Sequence, residues 1–387
     1  MANGKAATQT AKRPRILHLH STFAAGGKEV RAARLMNAFG PHVEHTVVSA
    51  DGNRQAAALV GRQIAVRYPA DFPSLTGFPG LGRLNRLAKA MQGFDLVLTY
   101  NWGAMDAVMA HTLFKDALGL PPLVHHEDGF NADEQDGLKT TRNWYRRIAL
   151  GKAAGLVVPS ETLEEIALTT WQQPMGRVKH IPNGIDTKAY AGKTRKDAIP
   201  GLIKRPGEHW VGTLAGLRPV KRLPALVRAF AALPWHWHLV IAGEGPEREA
   251  IRAEAERLEV SDRVHMPGHV ADTTKLVPLF DIFALSSKSE QMPVSLIEAM
   301  AAGKPVASPA VGDVAAMVAQ ENAQFIVPPG DENALWRALE TLSQDEALRA
   351  AIGKANRERA RATFDEKKMI DTYRRLYASA MGRSSLP

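Results

Sequence analysis

The sequence contains no cysteine among its 387 residues. This absence excludes disulfide bonds, thiolate nucleophiles and zinc sites with cysteine ligands, and it is compatible with a cytoplasmic protein. Long apolar runs are also missing, since none approaches the roughly 18 residues that cross a bilayer. The basic, polar start of the chain is not followed by the hydrophobic segment of a secretory signal. We therefore expect a cytoplasmic protein with a disordered basic tail at residues 1–14.

Positive charge is in excess, with a formal net charge of +9 at pH 7. Such an excess indicates an anionic partner, and nucleic acid, a phosphorylated substrate or an anionic membrane surface would each fit. The sequence shows neither a helix-turn-helix nor an aromatic RNA-binding motif, which disfavours nucleic acid. We therefore expect no nucleic-acid partner, and a non-catalytic nucleic-acid-binding protein remains only as an alternative.

Short apolar strands alternate with amphipathic helices in both halves of the chain, a pattern typical of parallel α/β sheets. The predicted strands are residues 15–20, 45–49, 96–99, 123–125, 155–159, 210–214, 238–242, 264–266, 282–285, 306–308 and 325–327. A further strand is predicted to end at the Asn-Gly turn of IPNGID, residues 181–186. A polar stretch after Asp186 separates the halves. We therefore predict an α/β protein with two Rossmann-like domains, 15–187 and 188–365, facing a central cleft. Residues 366–387 are expected to form a terminal helix packed on the first domain.

Two glutamates mark the segment 281–313 as the most informative part of the chain. Glu290 is predicted in the turn after a buried strand, and Glu298 in a helix that begins near Pro293 and ends at Gly303. Free amides at the start of that helix favour a phosphate, and both carboxylates can accept hydrogen bonds from sugar or ribose hydroxyls. Two such glutamates alone are more often solvent-exposed surface residues, so their spacing does not decide the function.

The stretch SEQMPVSLIEAMAAGKPV resembles the donor-site signature of the retaining family 4 glycosyltransferases, also called glycosyl transferases group 1. Other parts of this family are similar to AAGGKEVRAARL, VVPSETLEEIA, IPNGID and AGEGPERE, so the resemblance covers nearly the whole chain. It implies the GT-B fold of two facing Rossmann-like domains. It also implies a retaining, metal-independent transfer of a hexose from a nucleoside-diphosphate sugar to an acceptor hydroxyl, in bacterial polysaccharide or glycolipid assembly.

The resemblance implies that Glu290 contacts the donor sugar and that Glu298 contacts the ribose of the nucleotide. It places Lys221 where the family has a lysine that grips the diphosphate, and positive charge there would stabilise the leaving nucleotide. The implied donor-binding residues also include Gly26, Gly27, Met292 and Val294.

One departure from the family pattern concerns an arginine that shares the diphosphate with the lysine. Its position is occupied by Gly216. Arg218 and Arg222 lie nearby in the same loop, and either could supply the missing charge. The sequence leaves the choice between them open.

The cluster VHHEDGF, residues 124–130, ends a predicted strand of the first domain. The resemblance implies a histidine here near the acceptor and the transferred sugar, and His125 is the first choice because a His-x-Glu-x-Gly pattern matches at this strand. His125 is thus the third implied catalytic residue, beside Glu290 and Lys221. The acceptor candidates are His125, His126, Glu127, Asp128 and Asn101. Adjacent strand residues point to opposite faces, so we predict no metal site in this cluster.

The segment 139–152 alternates basic residues with Trp144 and Tyr145. A solvated helix with aromatic packing is slightly favoured, and a docking patch for anionic lipid headgroups is the alternative. Members of the family often use lipid-linked acceptors, which supports a peripheral position on the inner face of the cytoplasmic membrane. Retention on anionic liposomes at low salt would test it.

Other enzymes remain as alternatives. A sugar-nucleotide epimerase or a phosphorylase can use the same two-domain fold, the first without an acceptor and the second with inorganic phosphate. An NAD-dependent dehydrogenase is disfavoured because the first turn reads AAGGKE and not G-x-G-x-x-G. No cofactor is expected beyond the co-substrate, and the donor base, UDP or GDP, stays open together with its sugar.

Overall fold

A computed structural model describes residues 13–130, 134, 137–192 and 194–386. The tail predicted at residues 1–14 therefore lies outside the described residues, except for Arg13 and Pro14. The described chain forms two compact units. The first comprises the described parts of Met1–Val158, Glu165–Lys179 and Ile370–Pro387, and the second comprises Pro159–Glu164 and His180–Met369.

The first unit is built on a sheet of seven strands in the order β3-β2-β1-β4-β5-β6-β7. Its strands are β1 Arg15–His20, β2 Glu44–Ser49, β3 Ala65–Arg67, β4 Leu96–Tyr100, β5 Leu123–His126, β6 Gly155–Val158 and β7 Val178–His180. The helices of this part of the chain are α1 Gly27–Phe39, α2 Leu81–Ala90, α3 Met105–Leu118, α4 Thr140–Ala149 and α5 Glu161–Thr169, with α12 Glu366–Ala380 from the far end of the sequence. Neighbouring strands among the first six, β1 through β6, all pair in parallel.

The second unit contains a six-stranded parallel sheet in the order β10-β9-β8-β11-β12-β13. Its strands are β8 His209–Leu214, β9 Trp237–Ala242, β10 Val264–Gly268, β11 Ile282–Ala284, β12 Val306–Pro309 and β13 Ile326–Val327. Its helices are α6 Leu223–Ala231, α7 Arg248–Arg257, α8 Val294–Ala301, α9 Val314–Met317, α10 Glu332–Gln344 and α11 Glu346–Thr363. Ligands bind at the carboxyl ends of such strands, where the loops after β8 and β11 lie.

Pro293 occupies a different position from the one expected. It precedes α8 as the cap residue, with an extended ψ of 118°, and Val294 is the first helical residue. Within the described residues the amide of Leu296 donates to the Pro293 carbonyl at 3.1 Å. The amides of Val294 and Ser295 have no backbone hydrogen-bond partner among these residues, as expected at the start of a helix. The start of α8 therefore keeps the donors that the sequence indicated.

Histidines and tyrosines form a buried polar cluster in the first unit. His18 hydrogen-bonds His45 at 3.0 Å through one ring nitrogen and the Tyr100 hydroxyl at 3.2 Å through the other. His126 hydrogen-bonds the hydroxyl of Tyr377, on α12, at 2.7 Å. The last described helix thus contributes directly to the core of the first unit.

Acid should destabilise the first unit because burial keeps these imidazoles neutral. Burial lowers the pKa of His18 well below its usual value, that of His45 to about 4 and that of His126 to about 3. Unfolded histidines titrate near 6.5, so the unfolded chain binds more protons as the pH falls below that value. We expect the free energy of unfolding to decrease between pH 6.5 and pH 4, by up to about 1.4 kcal/mol per pH unit for each histidine.

Urea unfolding at several pH values measures this slope. The variant His45→Gln should show a shallower decrease than the wild type, since it has one fewer buried group to protonate. A stability that stays constant from pH 7 to pH 5 would contradict the expectation.

Candidate active site

Glu290 and Lys221 are brought together in the second unit, from loops that follow different strands. The ammonium group of Lys221 donates to Oε1 of Glu290 at 2.5 Å. The hydroxyl of Ser287 donates to the same oxygen at 2.7 Å. Both side chains of the ion pair are largely buried, with exposed fractions of 23% for Lys221 and 10% for Glu290.

Hydrogen bonds to the backbone hold the same two loops together. The amide of Lys288 donates to the carbonyl of Val220 at 2.8 Å, and the Ser286 hydroxyl donates to the carbonyl of Lys221 at 2.8 Å. The loop after β11 is thereby fixed against the loop after β8. The ion pair rests on a defined backbone frame.

A third loop fixes the backbone at Glu290. The amide of Asp313 donates to the carbonyl of Gln291 at 2.9 Å. Gly312 has a left-handed φ of +53°, and a Cβ there would lie 2.4 Å from the carbonyl oxygen of Glu290. Only glycine allows this approach, so Gly312 helps to set where the Glu290 side chain begins.

Glu298 lies on α8 and receives hydrogen bonds from two residues that the sequence did not single out. The Tyr190 hydroxyl donates to Oε1 of Glu298 at 2.8 Å, and the Thr273 hydroxyl donates to the same oxygen at 3.2 Å. Both residues come from loops distant in sequence, and the only available signal was an isolated aromatic residue in the polar stretch after Asp186. The contacts orient this carboxylate.

The structure distinguishes the two arginines near Gly216. Arg222 is ion-paired with Glu332 at 2.8 Å. Arg218 is exposed, and within the described residues its side chain has no hydrogen-bond or ion-pair partner. Of the two candidates, Arg218 is therefore the one whose charge is not already neutralised.

Close backbone packing shapes the loop that carries these residues. A Cβ on Gly243 would lie 1.9 Å from the carbonyl oxygen of Ala215, and one on Gly245 would lie 2.4 Å from that of Leu217. These glycines belong to the AGEGPERE segment. Their role in the structure is to let the loop after β9 support the loop after β8.

The remaining donor candidates differ in burial. Met292 is buried in the core of the second unit, and the half-buried Val294 packs against that core. In the first unit, Gly26 caps α1 and Gly27 is its first residue. A Cβ on Gly27 would meet nothing within 4 Å, so the packing of the first unit does not require glycine at this position.

His125 lies in a fully buried polar chain of the first unit. Its Nδ1 is 2.8 Å from the Thr99 hydroxyl, and its Nε2 is 3.7 Å from Oε2 of Glu127. Glu127 accepts from Nε of Arg146 at 3.3 Å, and Arg146 also pairs with Glu134 at 3.0 Å. The guanidinium of Arg146 is enclosed by the rings of Trp102, Phe130 and Trp171. His125 and Glu127 are thus held inside this unit.

The neighbouring acceptor candidates have other partners. His126 faces Tyr377, as described above, whereas Asp128 forms a bidentate ion pair with Arg31, at 2.5 and 2.8 Å. The side-chain oxygen of Asn101 accepts from the amide of Asp128 at 2.8 Å. Within the part of the chain that the structure describes, no group of three or more histidine or acidic side chains is placed to hold a metal ion.

The basic aromatic segment forms α4 and presents only one of its two aromatic residues to solvent. Trp144 and Ile148 are 57% and 54% exposed, and the guanidinium of Arg147 lies 5.0 Å from the Trp144 ring centre. Tyr145 donates a hydrogen bond to Asp106 at 2.7 Å. Among the described helices none has the length and apolar character to span a membrane.

Solved structures place the architecture in the GT-B class. HepE from Anabaena in complex with UDP is similar with a TM-score of 0.78 and 20% identity, covering 94% of this chain and 100% of that one. Sucrose-phosphate synthase from Thermosynechococcus elongatus is similar with a TM-score of 0.74 and 24% identity, covering 94% and 100%. The two parallel α/β sheets therefore form a GT-B fold.

Family models identify the group more closely. The model described as glycosyl transferases group 1 matches residues 195–359, and that described as glycosyltransferase family 4 matches residues 25–189. The chain belongs to the GT-B glycosyltransferases of group 1.

Two curated relatives are similar over part of their length. N-acetyl-alpha-D-glucosaminyl L-malate synthase of Bacillus anthracis is 28% identical over 53% of this chain and 54% of its own. The lipopolysaccharide core biosynthesis glycosyltransferase LpsD of Rhizobium meliloti is 30% identical over 50% of this chain and 57% of its own. The chain spans little more than half the length of these relatives.

Proposed function

We propose that the chain is a retaining hexosyltransferase that uses a nucleoside-diphosphate sugar as donor. The observation that carries the proposal is the juxtaposition of the Lys221 cation and the Glu290 carboxylate on a fixed loop frame. Glu298 lies on the helix that follows this frame. A cation and two hydrogen-bond acceptors are the groups that a sugar nucleotide requires.

Each donor-side residue has a separate task. Lys221 neutralises the diphosphate, and Arg218 supplies the second positive charge in place of the arginine missing at Gly216. Glu290 accepts hydrogen bonds from the hexose and Glu298 from the ribose. The first amides of α8, beginning at Val294, donate to phosphate oxygens. Met292 supports this position from the core, and Gly26 and Gly27 leave room for phosphate at the start of α1.

The chemistry then proceeds without an enzymatic nucleophile. The bond between the anomeric carbon and the diphosphate oxygen breaks as the acceptor oxygen bonds to the same face of that carbon. The leaving diphosphate accepts the proton of the acceptor hydroxyl. Fixed positive charge stabilises the negative charge that develops on the leaving group, and binding aligns the reactants.

For the acceptor we propose the carboxyl end of β5 in the domain of residues 15–187. Asp128 is partly exposed, with 13% of its side chain accessible, whereas the preceding residues His125, His126 and Glu127 are fully buried. Asp128, positioned by Arg31 and Asn101, is the residue suited to direct acceptor contact. His125, together with His126 and Glu127, would support the acceptor site from the buried side of Asp128. Residues 188–365 serve as the donor domain, and 366–387 complete the first domain.

The relatives and structural neighbours support particular substrates. LpsD acts in lipopolysaccharide core biosynthesis, and HepE has been crystallised with UDP-glucose. We infer a UDP-linked hexose ahead of a GDP-linked one, and a saccharide or lipid-linked acceptor in bacterial polysaccharide or glycolipid assembly. We place the protein in the cytoplasm, with Trp144 and Ile148 forming a peripheral contact with anionic lipid.

A ligand screen followed by product analysis tests the proposed function. A binding nucleotide raises the apparent melting temperature, so UDP, GDP, ADP and their sugars are compared first. The stabilising sugar nucleotide is then incubated with saccharide acceptors, and NMR gives the anomeric configuration of the product. We expect retention. Conversion of the donor without an acceptor would instead identify an epimerase, and a requirement for inorganic phosphate a phosphorylase.

A further inference from the structure

The ion pair between Lys221 and Glu290 joins two groups that the proposed function assigns to different parts of the donor. Lys221 is assigned to the diphosphate and Glu290 to the hexose, yet they contact each other at 2.5 Å. The Lys221 ammonium has three N–H donors, and a diphosphate that takes it fully must separate it from Glu290. The free-energy cost of that separation depends on whether another hydrogen-bond donor replaces Lys221 at the Glu290 carboxylate.

Glu290 has little freedom to move away from the phosphate position. Gly312 and the Gln291–Asp313 hydrogen bond fix its backbone, and Ser287 holds the same carboxylate oxygen that Lys221 contacts. Its side chain is only 10% exposed, so bulk water does little to solvate the separated carboxylate. An unpaired, partly buried carboxylate is costly, and a nearby phosphate adds repulsion between like charges.

An intact donor and its nucleotide product differ in how they meet this cost. The hexose of the donor brings hydroxyl groups that donate to Glu290, while the diphosphate takes Lys221. A nucleoside diphosphate also binds Lys221, but it has no hexose hydroxyl groups to donate hydrogen bonds to Glu290. We propose that this exchange of partners makes the site discriminate against the nucleotide product in favour of the intact nucleotide sugar.

The inference rests on the proposed roles of Lys221 and Glu290. It predicts that one substitution at Glu290 strengthens binding of the nucleoside diphosphate and at the same time impairs turnover of the nucleotide sugar. Glu290→Gln keeps the size of the side chain and its hydrogen-bonding capacity but removes the charge. We expect the Kd of UDP, measured by titration calorimetry with GDP in parallel, to fall about five- to tenfold. Turnover of the corresponding nucleotide sugar should fall at the same time.

Two further variants separate partner exchange from a general effect of charge. Glu249→Gln removes a carboxylate from α7 that, among the described residues, pairs with the exposed Arg252 alone, and it should leave the Kd unchanged. In a Lys221→Met background there is no pair to separate and only the repulsion between Glu290 and the phosphate remains, so Glu290→Gln should tighten UDP binding by less than it does in the wild type.

The possible results test the exchange of partners separately from the proposed transferase function. If the wild type binds a nucleotide and Glu290→Gln binds it no more tightly, the exchange is wrong and the transferase proposal stands. If neither protein binds UDP, GDP or ADP, both proposals fail. Equal tightening by Glu249→Gln would also overturn the exchange.

Discussion

Alanine in place of Glu290 or Glu298 is expected to lower kcat/KM by about a hundredfold or more, as is typical when a group that stabilises the transition state is removed. Glu290 would lose its contact with the hexose at the reacting centre, and Glu298 its contact with the ribose. Steady-state kinetics with the nucleotide sugar that stabilises the wild type measures both effects.

Folding should survive these substitutions. Glu290 lies in a loop and Glu298 on a partly exposed face of α8, outside the apolar clusters of the second unit. Removal of one hydrogen-bonded partner from a largely buried pair costs about 1–3 kcal/mol, so the melting temperature should fall by up to about 10 °C while the fold is retained. Near-normal activity of both alanine variants with the true substrates would remove the basis for the donor site.

The single substitution Lys221→Met should lower kcat about 10²- to 10³-fold, because negative charge on the leaving diphosphate develops in the transition state. The methionine preserves much of the side-chain volume and leaves the backbone contacts of this loop in place. The effect should fall more on kcat than on KM, since ground-state binding retains the amides of α8. A change confined to KM would assign Lys221 to binding alone.

The neighbouring arginines provide the matched comparison for that experiment. Arg218→Ala should weaken donor turnover more than Arg222→Ala, because Arg222 is already paired with Glu332. Arg222→Ala should act mainly on stability, since it would release Glu332 and its partner Arg228. The reverse order in kcat/KM would assign the substitute charge to Arg222.

Most strand positions follow from the sequence because parallel strands are buried on both faces and read as short apolar runs. The strands predicted from such runs agree with the observed bounds to within two residues. β3 Ala65–Arg67 was missed, since it is three residues long, lies at the sheet edge and exposes its side chains. Pro293 was assigned to the helix although it precedes it, because a proline fits both positions.

The site could be predicted only where one short segment carries it. Glu290 and Glu298 share a continuous motif, whereas Tyr190 and Thr273 reach Glu298 from distant loops with no pattern of their own. The pairing of Lys221 with Glu290 spans 69 positions and depends on how two loops fold against each other. The partner of the buried Glu127 is likewise Arg146, whose basic segment suggested a solvated or membrane-facing helix.

The position of α12 has a consequence for how the protein is made. Tyr373 and Tyr377 enter the core of the first unit from the last described helix, after all the strands of both sheets have been synthesised. Until then Phe39 and His126 lack the aromatic neighbours that cover them. Part of the apolar surface of the first unit therefore stays uncovered until residues 366–380 have been synthesised. Transiently exposed apolar surface of this kind makes a nascent chain prone to aggregation before the helix docks.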